Sequence, residues 1–197
     1  MVRNWVAGLA VAGGIAVGAL IGPHVPGLAA AESGEMAGNG LLADRIAIED
    51  MITRYYAHLG TDDAGAFGDY YTEDAVFDVN GVVSTGREEI EALYANMDEE
   101  GDSVTEGGVF HMVLSNSVIE VNGDRATATF LWTGILNPDP KAPPQIAEHG
   151  REYDRLVKQD GKWLIEKRVV IADSALPERF AATYEPRLDY DIAVDAE

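Results

Sequence analysis

The sequence contains no cysteine, and its 14 lysines and arginines face 34 aspartates and glutamates. The first absence excludes disulfides, thiolate nucleophiles, Cys-x-x-Cys zinc sites and a lipid-modified N-terminal cysteine. The second gives a formal net charge of −20, which argues against nucleic acid as a partner, because phosphate binding needs clustered Lys and Arg. The acids are spread along the chain, a pattern of a soluble, self-repelling surface. Histidine is scarce, with four in the chain. None sits in an HxH or HExxH spacing, so no metal is expected. His58, His111 and His149 are too far apart in sequence for spacing alone to bring them together as zinc ligands. The acidic loop with Asp98, Glu99, Glu100 and Asp102 lacks the ligand order of a calcium loop. There is no GxGxxG, P-loop or GxSxG, so dinucleotide, nucleotide and serine-hydrolase chemistry find no support.

Long apolar runs are also rare, with one exception. Arg3 precedes the uninterrupted apolar stretch Trp5–Gly22, Pro23 and Pro26 follow it, and Ala29–Ala31 stand before Glu32. This is the three-part layout of a secretory signal peptide. Residues 1–31 are expected to be removed by cleavage after Ala31, giving an exported protein, periplasmic or secreted, with no membrane contact once cleaved. An uncleaved anchor is the alternative, because the run is just long enough to span a bilayer. Cleavage leaves 13 cations against 34 acids, a net charge of −21.

Residues 32–40 are polar and glycine-rich and are expected to form a linker. Residues 41–172 form the expected domain, and 173–197 an acidic tail. Ile48, Met51, Ile52, Tyr55, Tyr56 and Leu59 recur at spacings of three and four and predict a helix over 41–59, closed by Gly60. Thr61, Asp62 or Asp63 would cap a second helix with Phe67, Tyr70 and Tyr71 on its buried side. Ala75–Val79 alternates as a strand that turns at Asn80-Gly81. Thr85-Gly86-Arg87-Glu88 reads as a capping box that starts a third helix through Ile90, Leu93, Tyr94 and Met97. Four strands follow: Val109–Val121 and Arg125–Leu136 around Asn122-Gly123, then Ile146–Lys158 and Lys162–Ala172 around Asp160-Gly161. Helices followed by antiparallel strands imply an α+β fold: a cone-shaped, curved, mostly antiparallel sheet wrapped around three N-terminal helices and enclosing a pocket.

The order of these elements, with DRIAIEDMITRYYAHL (44–59), YYTEDAVFDVNG (70–81), TGREEIEALY (85–94), HMVLSNSVIEVNGDRATA (111–128) and HGREYDRLVKQDGKWLIEKR (149–168), resembles the SnoaL-like branch of the nuclear-transport-factor-2-like superfamily. The resemblance covers residues 41–172. It implies a cofactor-free acid–base site inside the cone, a small hydrophobic ligand, and a homo-oligomer, dimer or trimer. It also implies two alternative functions, a lyase or isomerase or a non-catalytic binding module. His111 matches the strand histidine of such enzymes and would act as general base. Tyr55 matches a first-helix tyrosine; Tyr55 or Tyr56 would steady a developing oxyanion. The acid expected after that tyrosine falls on Gly60, which is the main departure. Asp154, or else Asp62 or Asp63, would have to orient His111 in its place. Period two puts Glu152, Asp154 and Leu156 on one face of their strand, and pairing of Asp154 with Arg168 is the structural alternative. Phe130 and Trp132 share a face with Ala128 and are expected, with Met112 and Asn116, to contact the ligand. Leu131 and Thr133 on the opposite face would meet a second subunit.

Overall fold

The computed structural model describes residues 26–58, 67–99 and 108–194. The chain divides into two units, Met1–Ala37 and Gly38–Glu197. In the first, the described residues are the opening part of helix α1, Pro26–Ala57. The segment 32–40 is therefore helical where a linker was expected, and the expected cleavage point after Ala31 falls inside this helix. Residues 1–25 lie outside the described set. Among the described residues no helix is long and apolar enough to cross a membrane.

In the second unit α1 presents Ile48, Ile52 and Tyr55 to the core, each at most 1% exposed, with Met51 and Tyr56 half-buried beside them. That is the expected face, and burying each such side chain contributes on the order of 1.5–3 kcal/mol. The proposed second helix is not formed where it is described. Phe67 enters a single 3-10 turn, Gly68–Tyr70, and Tyr71 already opens strand β1, Tyr71–Val79. Gly60, Thr61, Asp62 and Asp63 lie outside the described residues. Strand β2 is Val82–Thr85, and helix α2 is Arg87–Glu99. Its start differs from the expected box by one residue. Gly86 accepts the first helical bond from Ile90, and Glu89, not Glu88, accepts from the Thr85 backbone N–H at 2.7 Å. Two α-helices are thus described, not three.

Strands β3 (Val109–Asn122), β4 (Arg125–Asn137), β5 (Gln145–Gln159) and β6 (Lys162–Ser174) agree with expectation to within two residues at each end. The six strands form one curved, unclosed sheet in the order β2-β1-β6-β5-β4-β3, antiparallel except for the β1–β6 pair. Asn80-Gly81 and Asp160-Gly161 both have positive φ at the two loop positions, as two-residue hairpins with primed turns require. In the β3–β4 hairpin Asn122 pairs with Arg125, so the loop is Gly123-Asp124, with positive φ at Gly123 alone, one residue later than expected.

The acidic tail is part of the fold. A 3-10 turn, Glu178–Phe180, inserts Phe180 into the hydrophobic core. The chain then passes the β1–β2 turn, where Thr183 Oγ1 donates to the Asn80 carbonyl. Beyond it, Ile192 packs with Val169 and Ile171, joined by Tyr153, Tyr184 and Tyr190. Arg187 pairs with Asp78 at 2.7 Å, and Arg151 donates to the carbonyls of Pro186 and Arg187. Weak periodicity hid this because the segment is held by isolated anchors and backbone acceptors rather than by a repeating apolar face.

Candidate functional site

A cavity of about 400 Å³ lies between α1 and the edge strand β3, lined by Thr53, Tyr56, Ala57, Phe110, His111, Met112 and Leu114. Phe110, Met112 and Leu114 form the inward row of β3. Gly134 gives Phe110 its room: a Cβ there would stand 2.7 Å from the Phe110 ring and 2.5 Å from Glu148. His111 is exposed and sits at the cavity's rim.

Behind Tyr56 lies a fully buried polar cluster. Glu152 and Asp154 on β5 and Arg168 on β6 are each 0% exposed. Arg168 Nε donates to Asp154 Oδ1 at 2.7 Å and Nη2 to Oδ2 at 3.0 Å, a bidentate pair. Arg168 Nη2 also lies 3.1 Å from Glu152 Oε1, an ion-pair contact whose angle falls outside a hydrogen bond. The Tyr56 hydroxyl donates to Glu152 Oε2. The guanidinium stacks 4.1 Å from the Tyr55 ring centre, and Tyr55 shares hydrogen bonds with the hydroxyls of Tyr71 and Tyr94.

One cation thus faces two carboxylates out of contact with water. Burial pushes the Glu152 carboxyl up to about 8, the Arg168 charge opposing this and the Asp154 charge adding to it. Burial works against the charge on Arg168, but Asp154 and then Glu152 outweigh it and hold the guanidinium well above its ordinary value. Burial, reinforced by the Glu152 charge, also holds the Tyr56 phenol well above its usual range, so Tyr56 is a donor and not a base.

The expected site residues separate into two groups. His111 and Met112 line the cavity with Tyr56. Tyr55 belongs to the buried cluster. Asp154 is locked to Arg168 and does not orient His111. The ladders put Asp154 opposite Ala128, and Ala128 opposite Ile119, whereas His111 pairs with Ile135 on the other face and eight residues away along β3. The cause is a β-bulge. Ser115 pairs with Leu131 and Val118 with Thr129, so Asn116 and Ser117 together oppose Phe130, with Asn116 at φ +53. Counting by twos from the buried Ile119 would turn His111 inward. The extra residue reverses the parity and turns Phe110, Met112 and Leu114 inward instead. Asn116 is exposed at the bulge and does not line the cavity, and an Asn that tolerates positive φ was the available signal. Phe130 and Trp132 are packed in the interior at 2% and 5% exposure and are not among the lining residues. Asp62 lies outside the described residues. Period two puts Glu152 on one face with Asp154 and gives it no role. Its neighbours Tyr56 and Arg168 become visible only when β5, β6 and α1 are brought together. No group of three or more potential metal ligands converges among the described residues.

The model of the SnoaL-like domain family matches residues 41–169. Similar solved structures include an NTF2-like protein with a cystatin-like fold from Novosphingobium aromaticivorans. It is 21% identical, with a TM-score of 0.61, over 77% of this chain and 93% of that one. A candidate scytalone dehydratase from the same organism is 22% identical, with a TM-score of 0.55, over 68% and 86%. ActVI-ORFA from Streptomyces coelicolor is 17% identical, with a TM-score of 0.57, over 66% and 98%. At these identities the likeness is one of fold. A comparison with curated proteins finds no match. The match over residues 41–169, most of the described sheet included, places the chain in the SnoaL-like domain family.

Proposed function

We propose that the protein is a cofactor-free lyase or isomerase that takes a small hydrophobic substrate into the α1–β3 cavity. The observation that carries this reading is the lining itself: His111 and Tyr56 border one cavity, beside Phe110, Met112 and Leu114. In this reading His111 takes a proton from carbon next to a carbonyl, the C–H electron pair moves onto oxygen, and Tyr56 hydrogen-bonds that oxygen. Return of the proton to another carbon completes an isomerisation; loss of a β-hydroxyl together with the proton releases water.

The second reading is a binding module for a hydrophobic molecule. It is favoured by the separation of His111 from Asp154, which leaves the imidazole without the carboxylate that usually fixes its tautomer. The test is proton exchange at the α-carbon of 2-tetralone in deuterated water, followed by NMR. Wild type is expected to accelerate exchange and His111→Ala to abolish the acceleration. Full exchange in His111→Ala, or binding with no exchange in wild type, leaves the binding module.

Export rests on the N-terminal layout of Arg3, the apolar run and Ala29–Ala31, and N-terminal sequencing of the protein from a fractionated cell tests it. Pairing with a second copy is proposed through the outer sheet face around Leu131 and Thr133, since Val169 and Ile171 on that face are already covered by Ile192.

A further inference from the structure

Tyr56 has a single O–H and two places to spend it. It lines the cavity, and its hydroxyl reaches Glu152 Oε2. While it donates to Glu152, it offers no proton to an acceptor in the cavity. The rest of the cluster decides what happens when Glu152 gains a proton. Glu152 Oε1 faces Arg168 Nη2 at 3.1 Å, and both Asp154 oxygens are taken by the same guanidinium. Asp154 is also within hydrogen-bond reach of Glu152. A proton on Oε2, the oxygen that meets Tyr56, turns that hydrogen bond around. From there it donates to the phenol oxygen and releases the Tyr56 O–H toward the cavity.

We propose that Glu152 is a positioning residue whose protonation state sets whether Tyr56 donates its hydrogen bond inward or to an acceptor oxygen on a ligand in the cavity. This rests on the cavity reading above. The titratable and charged groups in the cluster that holds Glu152 and Arg168 are Tyr55 and Tyr56 from α1, Tyr71 from β1, Tyr94 from α2 and Asp154 from the Glu152 strand. Burial holds the four phenols protonated, and Arg168 stays charged, which leaves Glu152 as the group that changes. The ligand it selects carries a carbonyl or similar acceptor; a hydrocarbon of the same shape is blind to the switch.

Glu152→Gln fixes the protonated arrangement. Its amide oxygen faces Arg168 and its NH₂ donates to Tyr56. The experiment titrates 2-tetralone and its oxygen-free analogue tetralin into wild type, Glu152→Gln and Tyr56→Phe. Wild type is expected to bind 2-tetralone about tenfold more weakly at about pH 10 than at about pH 6, the equivalent of one neutral hydrogen bond. Glu152→Gln keeps the tight binding at both values, Tyr56→Phe binds weakly at both, and tetralin shows no such loss. His111 at the cavity rim is present in all three proteins and does not distinguish them. Equal losses in wild type and Glu152→Gln overturn the proposal.

A ligand-free arm follows the Glu152 side-chain carboxyl by ¹³C NMR. Loss of the donated bond in Tyr56→Phe is expected to move its midpoint upward, because that bond favours the carboxylate. An unmoved midpoint overturns the coupling whether or not 2-tetralone binds. A moved midpoint with no 2-tetralone binding supports the coupling and refutes the cavity reading.

Discussion

Replacing Glu152 by Gln is expected to change how stability depends on pH far more than it changes the fold. In the native cluster an ionised Glu152 leaves two carboxylates facing one guanidinium, a net negative charge sealed from water. With the carboxyl raised from 4.5 to about 8, the folded protein keeps a proton that the unfolded chain has already released. The folded state then binds more protons between those values, so this group's contribution to stability is fully present below about pH 4.5 and is lost as pH rises through about 8. The shift corresponds to about 5 kcal/mol. Gln cannot ionise, keeps the volume, and leaves the Arg168–Asp154 pair neutral. The two proteins are expected to have similar stabilities at pH near 5, and Glu152→Gln is expected to be the more stable by several kcal/mol near pH 9. The assay is urea unfolding at a series of pH values, with the difference between the two curves as the readout. Parallel curves refute the reasoning, and so does a variant uniformly less stable than wild type.

Arg168→Met leaves Asp154 and Glu152 buried with no cation, and chemical denaturation is expected to show a loss of about 3–5 kcal/mol at neutral pH. Gly150→Ala places a methyl 2.3 Å from both the Ile171 carbonyl and the Trp132 ring; one of those atoms is backbone, so a loss of about 1–3 kcal/mol or more is expected in thermal unfolding. Truncation after Ser174 removes Phe180 and Ile192 from their packed positions and breaks the Arg187–Asp78 pair. It is expected to cost about 3 kcal/mol or more, and hydrogen exchange should locate the loosening on β1 and β6.

Much of this architecture is visible in residue patterns alone. Period two and the turn residues locate all four long strands, because both signals are local and each strand has one dry face. The shared face of Glu152, Asp154 and Leu156 follows from the same alternation, and the pairing of Asp154 with Arg168 is one of the two roles it leaves open for Asp154. Three things are not visible there. The tail docks through Phe180, Ile192 and backbone acceptors that no period marks. The Tyr56–Glu152 bond joins residues 96 positions apart, and nothing in either neighbourhood announces the other. The orientation of His111 depends on a single extra residue at Asn116.

That bulge has a consequence for comparing this chain with its relatives. The half of β3 before Asn116 and the half after Ser117 obey opposite parities, so identity of position does not guarantee identity of side. A relative with one residue fewer at this point would close the ladder smoothly and keep the same inward row. One of equal length but without the bulge would exchange the two rows, turning the equivalent of His111 into the cone and the equivalent of Met112 out of it. Matching histidines written in the same column can therefore belong to opposite faces of the sheet. A role carries over between such proteins only after residues have been counted through the kink.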